Sequence, residues 1–107
     1  MDAANGSNAI EPGVPADLEL VHVLQAMSDP QRLALLKILA DGEWHPCGAG
    51  DLATGLHKST ISHHMKILRA AGLFEDQQRG RSKYGRLRRD AIDERFPGLL
   101  NGVLPNV

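Results

Sequence analysis

Residues 58–72, Lys-Ser-Thr-Ile-Ser-His-His-Met-Lys-Ile-Leu-Arg-Ala-Ala-Gly, limit what this chain can fold into more than any other stretch. Ile61, Met65 and Leu68 recur at three- and four-residue spacing, the period of a single buried stripe on an α-helix. Ser59, Thr60, Ser62, His63 and Lys66 fall off that stripe, so one face packs while another stays polar. The polar face offers hydroxyls, imidazoles and cations near the helix N-terminus and contains no carboxylate. Such groups can meet phosphate oxygens and base edges, and nothing among them repels a polyanion. Gly72 is placed to close the helix as a left-handed C-cap, with Arg69 in the last turn where the helix dipole favours a cation. Taken alone, the stretch fits an ordinary amphipathic helix equally well, and its neighbours decide.

After Gly72 the period changes. Leu73-Phe74-Glu75-Asp76-Gln77-Gln78 and Lys83-Tyr84-Gly85-Arg86-Leu87 read as short strands around an Arg79-Gly80-Arg81-Ser82 turn, although Gly85 and the glutamine pair weaken strand propensity. Upstream, residues 49–54 supply a short helix that packs through Leu52 and Ala53, with Gly55 as its stop and Leu56 as an apolar plug before the next helix. A short helix, a tight turn and a longer helix make a helix-turn-helix, and a basic hairpin directly after it makes a wing. The wing tip can lie along a DNA backbone or reach the minor groove, where the negative potential favours arginine. The formal net charge is only −1, but its distribution is uneven. Between Leu56 and Asp90 nine cations (Lys58, Lys66, Arg69, Arg79, Arg81, Lys83, Arg86, Arg88, Arg89) face three acids (Glu75, Asp76, Asp90). A locally basic face on a near-neutral protein is the footprint of nucleic-acid binding, and a merely solvated charged surface explains so uneven a split less well.

Residues 1–14 are small, polar and broken by Pro12 and Gly13, and are expected to form a flexible tail before one domain over residues 15–107. A first helix over residues 15–27 carries Leu18, Leu20, Val21, Val23, Leu24 and Met27, too many for one narrow stripe. It should bury one face inside the protomer and another against a partner. Ser28-Asp29-Pro30 starts a second helix, with Asp29 accepting from the first free amides and Pro30 at the first helical position. That helix is expected over residues 30–40, with Leu33, Leu36, Ile38 and Leu39 in the core, Arg32 and Lys37 outward, and Asp41-Gly42 as its end. Residues 43–50 read as a loop, with Trp44 in the core or a pocket wall. Asp90 is expected to cap a helix over residues 91–96, and Pro97 to open or kink a further piece. In that piece Leu99, Leu100, Val103 and Leu104 form an apolar stripe that nothing after it can cover. Spare faces on the first helix (Leu20, Val23, Leu24) and the last (Leu99, Leu100, Val103, Leu104) predict a homodimer. Its two-fold axis would set two recognition helices about 34 Å apart, one turn of DNA. The fold expected is mostly α with a small β-hairpin, a winged helix-turn-helix in the order α-α-α-α-β-β-α.

A length of 107 residues suffices for one domain and is too short for two. Trp44, Phe74, Tyr84 and Phe96 are the only rings of Phe, Tyr or Trp, so the core is expected to be aliphatic. Cys47 is the sole cysteine, which excludes an internal disulfide. The N-terminus is polar and no apolar run approaches about 18 residues, so no signal peptide or membrane span is expected and the protein is read as cytoplasmic. An enzyme is disfavoured, because Ser62 and His63 lie on an exposed basic helix with no glycine-rich elbow beside them. A protein-interaction module would leave the Arg79-Gly80-Arg81-Ser82 turn unexplained.

Ser28-Asp29-Pro30-Gln31-Arg32-Leu33, Asp51-Leu52-Ala53, the run over residues 59–73 and the basic hairpin to Leu87 resemble the ArsR (arsenical-resistance repressor) family of winged-helix regulators. The resemblance extends over about residues 18–104, nearly the whole ordered chain expected here. Each motif alone is weak, and the combination is specific. It implies a dimeric repressor that binds a pseudo-palindromic operator and leaves DNA when an effector binds. It also implies that Ser59, Thr60, Ser62, His63 and Lys66 face the major groove and that Arg79, Arg81 and Lys83 belong to the wing. Lys58 and Ser82, which adjoin them, complete the expected DNA-binding set. His57 stands where the family places a serine cap, so the helix start is expected to shift by a residue or two. His64 reads as a packing residue or a phosphate contact, not a base reader.

Arsenic, lead and cadmium sensors of that family carry Cys-x-Cys on the third helix, where this chain has Cys47 alone. Its zinc and nickel sensors use His with Asp or Glu on the last helix, and no histidine follows His64 here. No cofactor is therefore expected. His45 and Cys47 stay as candidate metal ligands, joined by His22 of the other protomer, since zinc accepts mixed nitrogen and sulfur ligands. Cys47 otherwise reads as a small buried hydrophobe or a redox-sensing thiol. A metal- or redox-responsive form of the same repressor is the alternative reading.

Overall fold

A computed structural model describes residues 18–47 and 55–107; the tail expected over residues 1–14 and the short helix expected over residues 49–54 lie outside the described residues. The first described helix, α1 (Leu20–Met27), follows an extended Glu19, so it begins later than the expected residue 15. α2 (Pro30–Ile38) starts as its sequence predicts: the Asp29 carboxylate accepts from the amides of Gln31 at 2.8 Å and Arg32 at 3.0 Å, with Pro30 at the first position. These bonds, led by that from the Arg32 amide, hold the Asp29 carboxyl below its ordinary value.

The buried side of α2 differs from expectation. Leu35, Leu36 and Leu39 are fully buried, while Ile38 is exposed. At about 100° per residue, Arg32 falls in the middle of the stripe formed by Leu35, Leu36 and Leu39, and Ile38 falls well to one side. Arg32 consequently turns inward, and its Nε donates to the Ala26 carbonyl at the end of α1 at 2.6 Å.

The stretch read as a loop contains a short strand, β1 (His45–Pro46). It joins the hairpin of β2 (Phe74–Arg79) and β3 (Ser82–Leu87) as a third antiparallel strand, in the order β1-β3-β2. His45 pairs with Gly85 and Pro46 with Tyr84, and Phe74 pairs with Leu87 through to Arg79 with Ser82. Gly85, which sequence reading treats as a weakness in the strand, is a steric requirement: a Cβ there would lie 1.9 Å from Cζ of Phe74. The far edge of the Phe74 ring thereby occupies the space over Gly85, and the ring is buried in the core with Leu73 and Leu87.

The C-terminal part folds back onto the protomer. α4 (Arg89–Arg95) starts one residue before Asp90, which lies in its first turn and does not cap it. Pro97 and Gly98 form a turn, and α5 (Leu99–Val103) runs into a 3-10 turn, Leu104–Asn106. Leu100 and Leu104, expected to form an uncovered stripe, are buried in the protomer core, and Leu99 and Val103 pack against it. Arg89 ties these pieces together, donating to Asp93, to the Ala40 carbonyl and to Asn101. Val23, expected at a partner interface, is also fully buried within the protomer. The apolar side chains left exposed on α1 are Leu20, Val21 and Leu24. No helix among the described residues is long and apolar enough to cross a membrane.

Candidate nucleic-acid interface

The helix α3 (Lys58–Ala70) is fixed at both ends by local chemistry. His57 occupies the N-cap, and its Nδ1 accepts from the Ser59 amide at 3.2 Å and lies 2.8 Å from the Ser59 hydroxyl. A ring nitrogen thus does the work of a serine oxygen, and the start is not displaced as expected. At the other end the Leu73 amide donates to the Leu68 carbonyl and the Gly72 amide to Arg69, each at 3.0 Å, with Gly72 at φ 84°. This is a Schellman closure, and the left-handed glycine it needs is the one the sequence supplies.

Between these ends the two faces separate as the spacing predicts. Ile61, Met65 and Leu68 are buried, Thr60 is half-buried, and Lys58, Ser59, Ser62, His63 and Lys66 are exposed. Among the described residues neither Lys58 nor Lys66 has a carboxylate within ion-pair distance. His64 belongs to the packed side and is buried. Its Nδ1 lies 3.3 Å from Nη1 of Arg32 and its Nε2 lies 2.8 Å from Oε1 of Gln31. A guanidinium can only donate, so Nδ1 accepts and the Nε2–H donates to Gln31. The start of α2 is therefore bonded to the back of α3, which leaves the polar face of α3 turned outward.

The wing carries cations in three different states. Arg81, at the hairpin tip, is exposed and among the described residues has no carboxylate partner. Lys83 lies 3.3 Å from Asp76, which also takes Arg69 of α3 at 2.7 Å, and Arg86 lies 3.1 Å from Glu75 across the β2–β3 pair. Arg79 instead stacks on rings, with its Cζ 4.5 Å from the Tyr84 centroid and 5.5 Å from that of Trp44. Ser82 is exposed beside the tip. Arg88 donates to the Gly72 carbonyl at 2.8 Å and Arg89 serves α4, so both are engaged in holding the fold.

Sequence reasoning missed the stacking. Alternation along β2 and β3 puts Glu75, Gln77 and Arg79 on one face with Tyr84 and Arg86, which the period of two could have revealed. Trp44 joins them only because β1, two residues long and containing a proline, adds to the sheet. Trp44 is accordingly part of the wing surface and neither core nor pocket wall.

The candidate metal ligands are not gathered. His45 Nε2 lies 2.8 Å from Asp41, and this hydrogen bond is the main reason the Asp41 carboxyl titrates below its ordinary value. The Cys47 thiol donates to the His45 carbonyl at 3.3 Å and borders a cavity with Ser62, Lys66, Arg69 and Lys83. His22 is exposed and 3.2 Å from Glu19. Among the described residues no three His, Cys, Asp or Glu side chains are grouped to hold a metal ion.

The profile of the bacterial regulatory protein arsR family matches residues 29–75, from the Asp29 cap into β2. The chain is 37% identical over 79 residues to an uncharacterized HTH-type transcriptional regulator of Bacillus subtilis, YceK, covering 73% of this chain and 79% of that one. It is 33% identical over 84 residues to the transcriptional repressor SdpR of the same organism, covering 77% and 90%. In structure it is similar to the homodimeric winged helix-turn-helix DNA-binding domain of a possible ArsR-family regulator from Mycobacterium bovis. That likeness has a TM-score of 0.65 at 26% identity, over 81% of this chain and 78% of the other.

Proposed function

Because the chain belongs to the arsR family of bacterial regulatory proteins, we propose that this DNA-binding transcriptional regulator is a dimeric repressor. It lays α3 in the major groove of an operator and its wing against the flanking backbone. The observation that carries the reading is the row of Ser59, Ser62, His63 and Lys66. These side chains are exposed, unopposed by any carboxylate among the described residues, and mounted on a helix fixed at both ends. Lys58, Lys66 and Arg81 supply phosphate contacts, Ser62 and His63 reach base edges, and Thr60, Ser82, Arg79 and Lys83 complete the footprint. Dimerisation through Leu20, Val21 and Leu24 of α1 is supported by their exposure of 46–63% and by the homodimeric state of the Mycobacterium bovis domain. Leu99 and Val103 remain as rim contacts, since they are only partly buried. Repression is supported by the relation to SdpR. The protein acts on DNA in the cytoplasm, needs no bound cofactor to do so, and performs no catalysis.

Fluorescence anisotropy of the protein on a labelled duplex from its own upstream region, repeated across salt, tests this. Binding by two protomers per site, with affinity falling linearly in log salt, is the expected result. Arg81→Ala should weaken binding to every duplex and lower the slope by about one, whereas Ser62→Ala or His63→Ala should chiefly change which sequence is preferred. Absence of binding at low salt would overturn the reading.

A further inference from the structure

Four side chains on the outer face of the wing sheet alternate ring and cation: Tyr84, Arg79, Trp44 and Arg86. The Arg79 Cζ lies 4.5 Å from the Tyr84 centroid and 5.5 Å from the Trp44 centroid, and the Arg86 Cζ lies 4.5 Å from the Trp44 centroid. We propose that Trp44 and Tyr84 are positioning residues that hold the Arg79 guanidinium ready for a phosphate of duplex DNA. The proposal rests on the DNA-binding reading above.

The argument turns on how each cation is held. Arg86 is fixed by Glu75 at 3.1 Å and Lys83 by Asp76 at 3.3 Å, so each carries a counter-charge that a phosphate must displace. Arg79 is fixed by two ring faces and by its own Nε, which donates to the neutral amide oxygen of Gln77 at 2.7 Å. An aromatic quadrupole and an amide restrain a guanidinium without neutralising it. The guanidinium keeps its charge, and among the described residues its terminal nitrogens keep their donors free, in a fork suited to two phosphate oxygens. A solvated arginine gives up rotamer freedom when it binds, and one already held gives up less. The two-residue strand β1 thereby acquires a role, because pairing with Tyr84 and Gly85 is what brings Trp44 to Arg79.

A double-mutant cycle on the full-length protein, read by anisotropy on the upstream duplex, tests the proposal. Arg79→Ala should lower the salt slope by about one. Trp44→Leu should weaken binding about threefold to fivefold, as expected for losing a cation–π restraint, and Trp44→Phe should restore most of it. In the Arg79→Ala background Trp44→Leu should cost nothing further, because it acts through Arg79. Thermal melting of each variant separates these effects from loss of fold, and Tyr84→Leu repeats the cycle from the other side of Arg79 if Trp44→Leu does not fold. Trp44 is the only tryptophan, so its emission should change when DNA is added to the native protein and change much less in Arg79→Ala. Additive losses in the double variant, or native affinity in Trp44→Leu, would overturn the positioning role while leaving the DNA-binding reading intact. A native protein that binds no DNA would instead sink the reading beneath it.

Discussion

The polar face of α3 and the sheet that forms the wing both bear positive charge, and they bear it under different terms. On α3, Lys58 and Lys66 extend from a face without acids and have no carboxylate partner among the described residues. On the wing, Arg86 is matched to Glu75 and Lys83 to Asp76, while Arg79 is stacked and only Arg81 at the tip stands clear. A cation's value to a polyanion depends on what it must abandon to reach it. The polar face of the helix offers fewer charges, neither of them matched to an acid among the described residues, whereas the sheet offers more charges, half of them already paired with carboxylates.

The largest expected effect comes from breaking the geometry that sets the wing against α3. Phe74 lies on Gly85 so closely that any Cβ there must displace the buried ring. Gly85→Ala should therefore cost about 2–3 kcal/mol of stability by urea denaturation, as overpacked sites do. An unchanged midpoint would mean the ring relocates freely. Next in size is the contrast between free and paired cations. Lys66→Ala should weaken DNA binding roughly fivefold and lower the salt slope by about one, whereas Arg86→Ala should change affinity less than about twofold because Glu75 already neutralises it. Equal losses from the two would erase the distinction between helix and sheet.

A gain of function sharpens the comparison further. Asp76 holds both Arg69 and Lys83. Replacing it with asparagine frees Arg69 on α3 and Lys83 on the wing at a cost of at most about 1 kcal/mol in stability, since the pairs are partly exposed. Asp76→Asn should strengthen binding to any duplex about twofold to threefold and steepen the salt dependence. Weaker binding would show that Asp76 matters for orienting Arg69 and not for restraining charge.

What could be read from sequence was local. The stripe of Ile61, Met65 and Leu68, the Asp29 cap and the Gly72 closure each depend on residues within a turn or two, and each is found in place. The inward turn of Arg32 was also legible, because it shares the stripe of Leu35, Leu36 and Leu39. What could not be read depends on distant partners. His64 is buried because Gln31 and Arg32, 33 and 32 residues earlier, satisfy its ring nitrogens. The apolar stripe of Leu100 and Leu104 was visible, but nothing in its spacing says that its own protomer covers it. Counting nine cations against three acids overstated the free charge, because strand register puts Arg86 opposite Glu75 and tertiary packing assigns Arg88 and Arg89 to the fold.

The smallest effect distinguishes the two surfaces by pH. Asp29 caps α2, and α2 in turn supplies Gln31 and Arg32 to the back of α3, so the cap supports the helix surface. Its carboxyl is held below the ordinary value, chiefly by the Arg32 amide. A depressed folded value means that the stabilisation is complete above the unfolded value of about 3.9 and is lost as pH falls through the lowered folded value. Asparagine caps a helix about as well as aspartate and does not titrate in this range. Asp29→Asn should therefore match the native protein near neutrality and lose less stability on acidification below about pH 4, read as the urea midpoint against pH. If the two acid limbs superimpose, the ionised cap contributes nothing to holding α2, and the support of α3 rests on the Arg32 and Gln31 contacts to His64 alone.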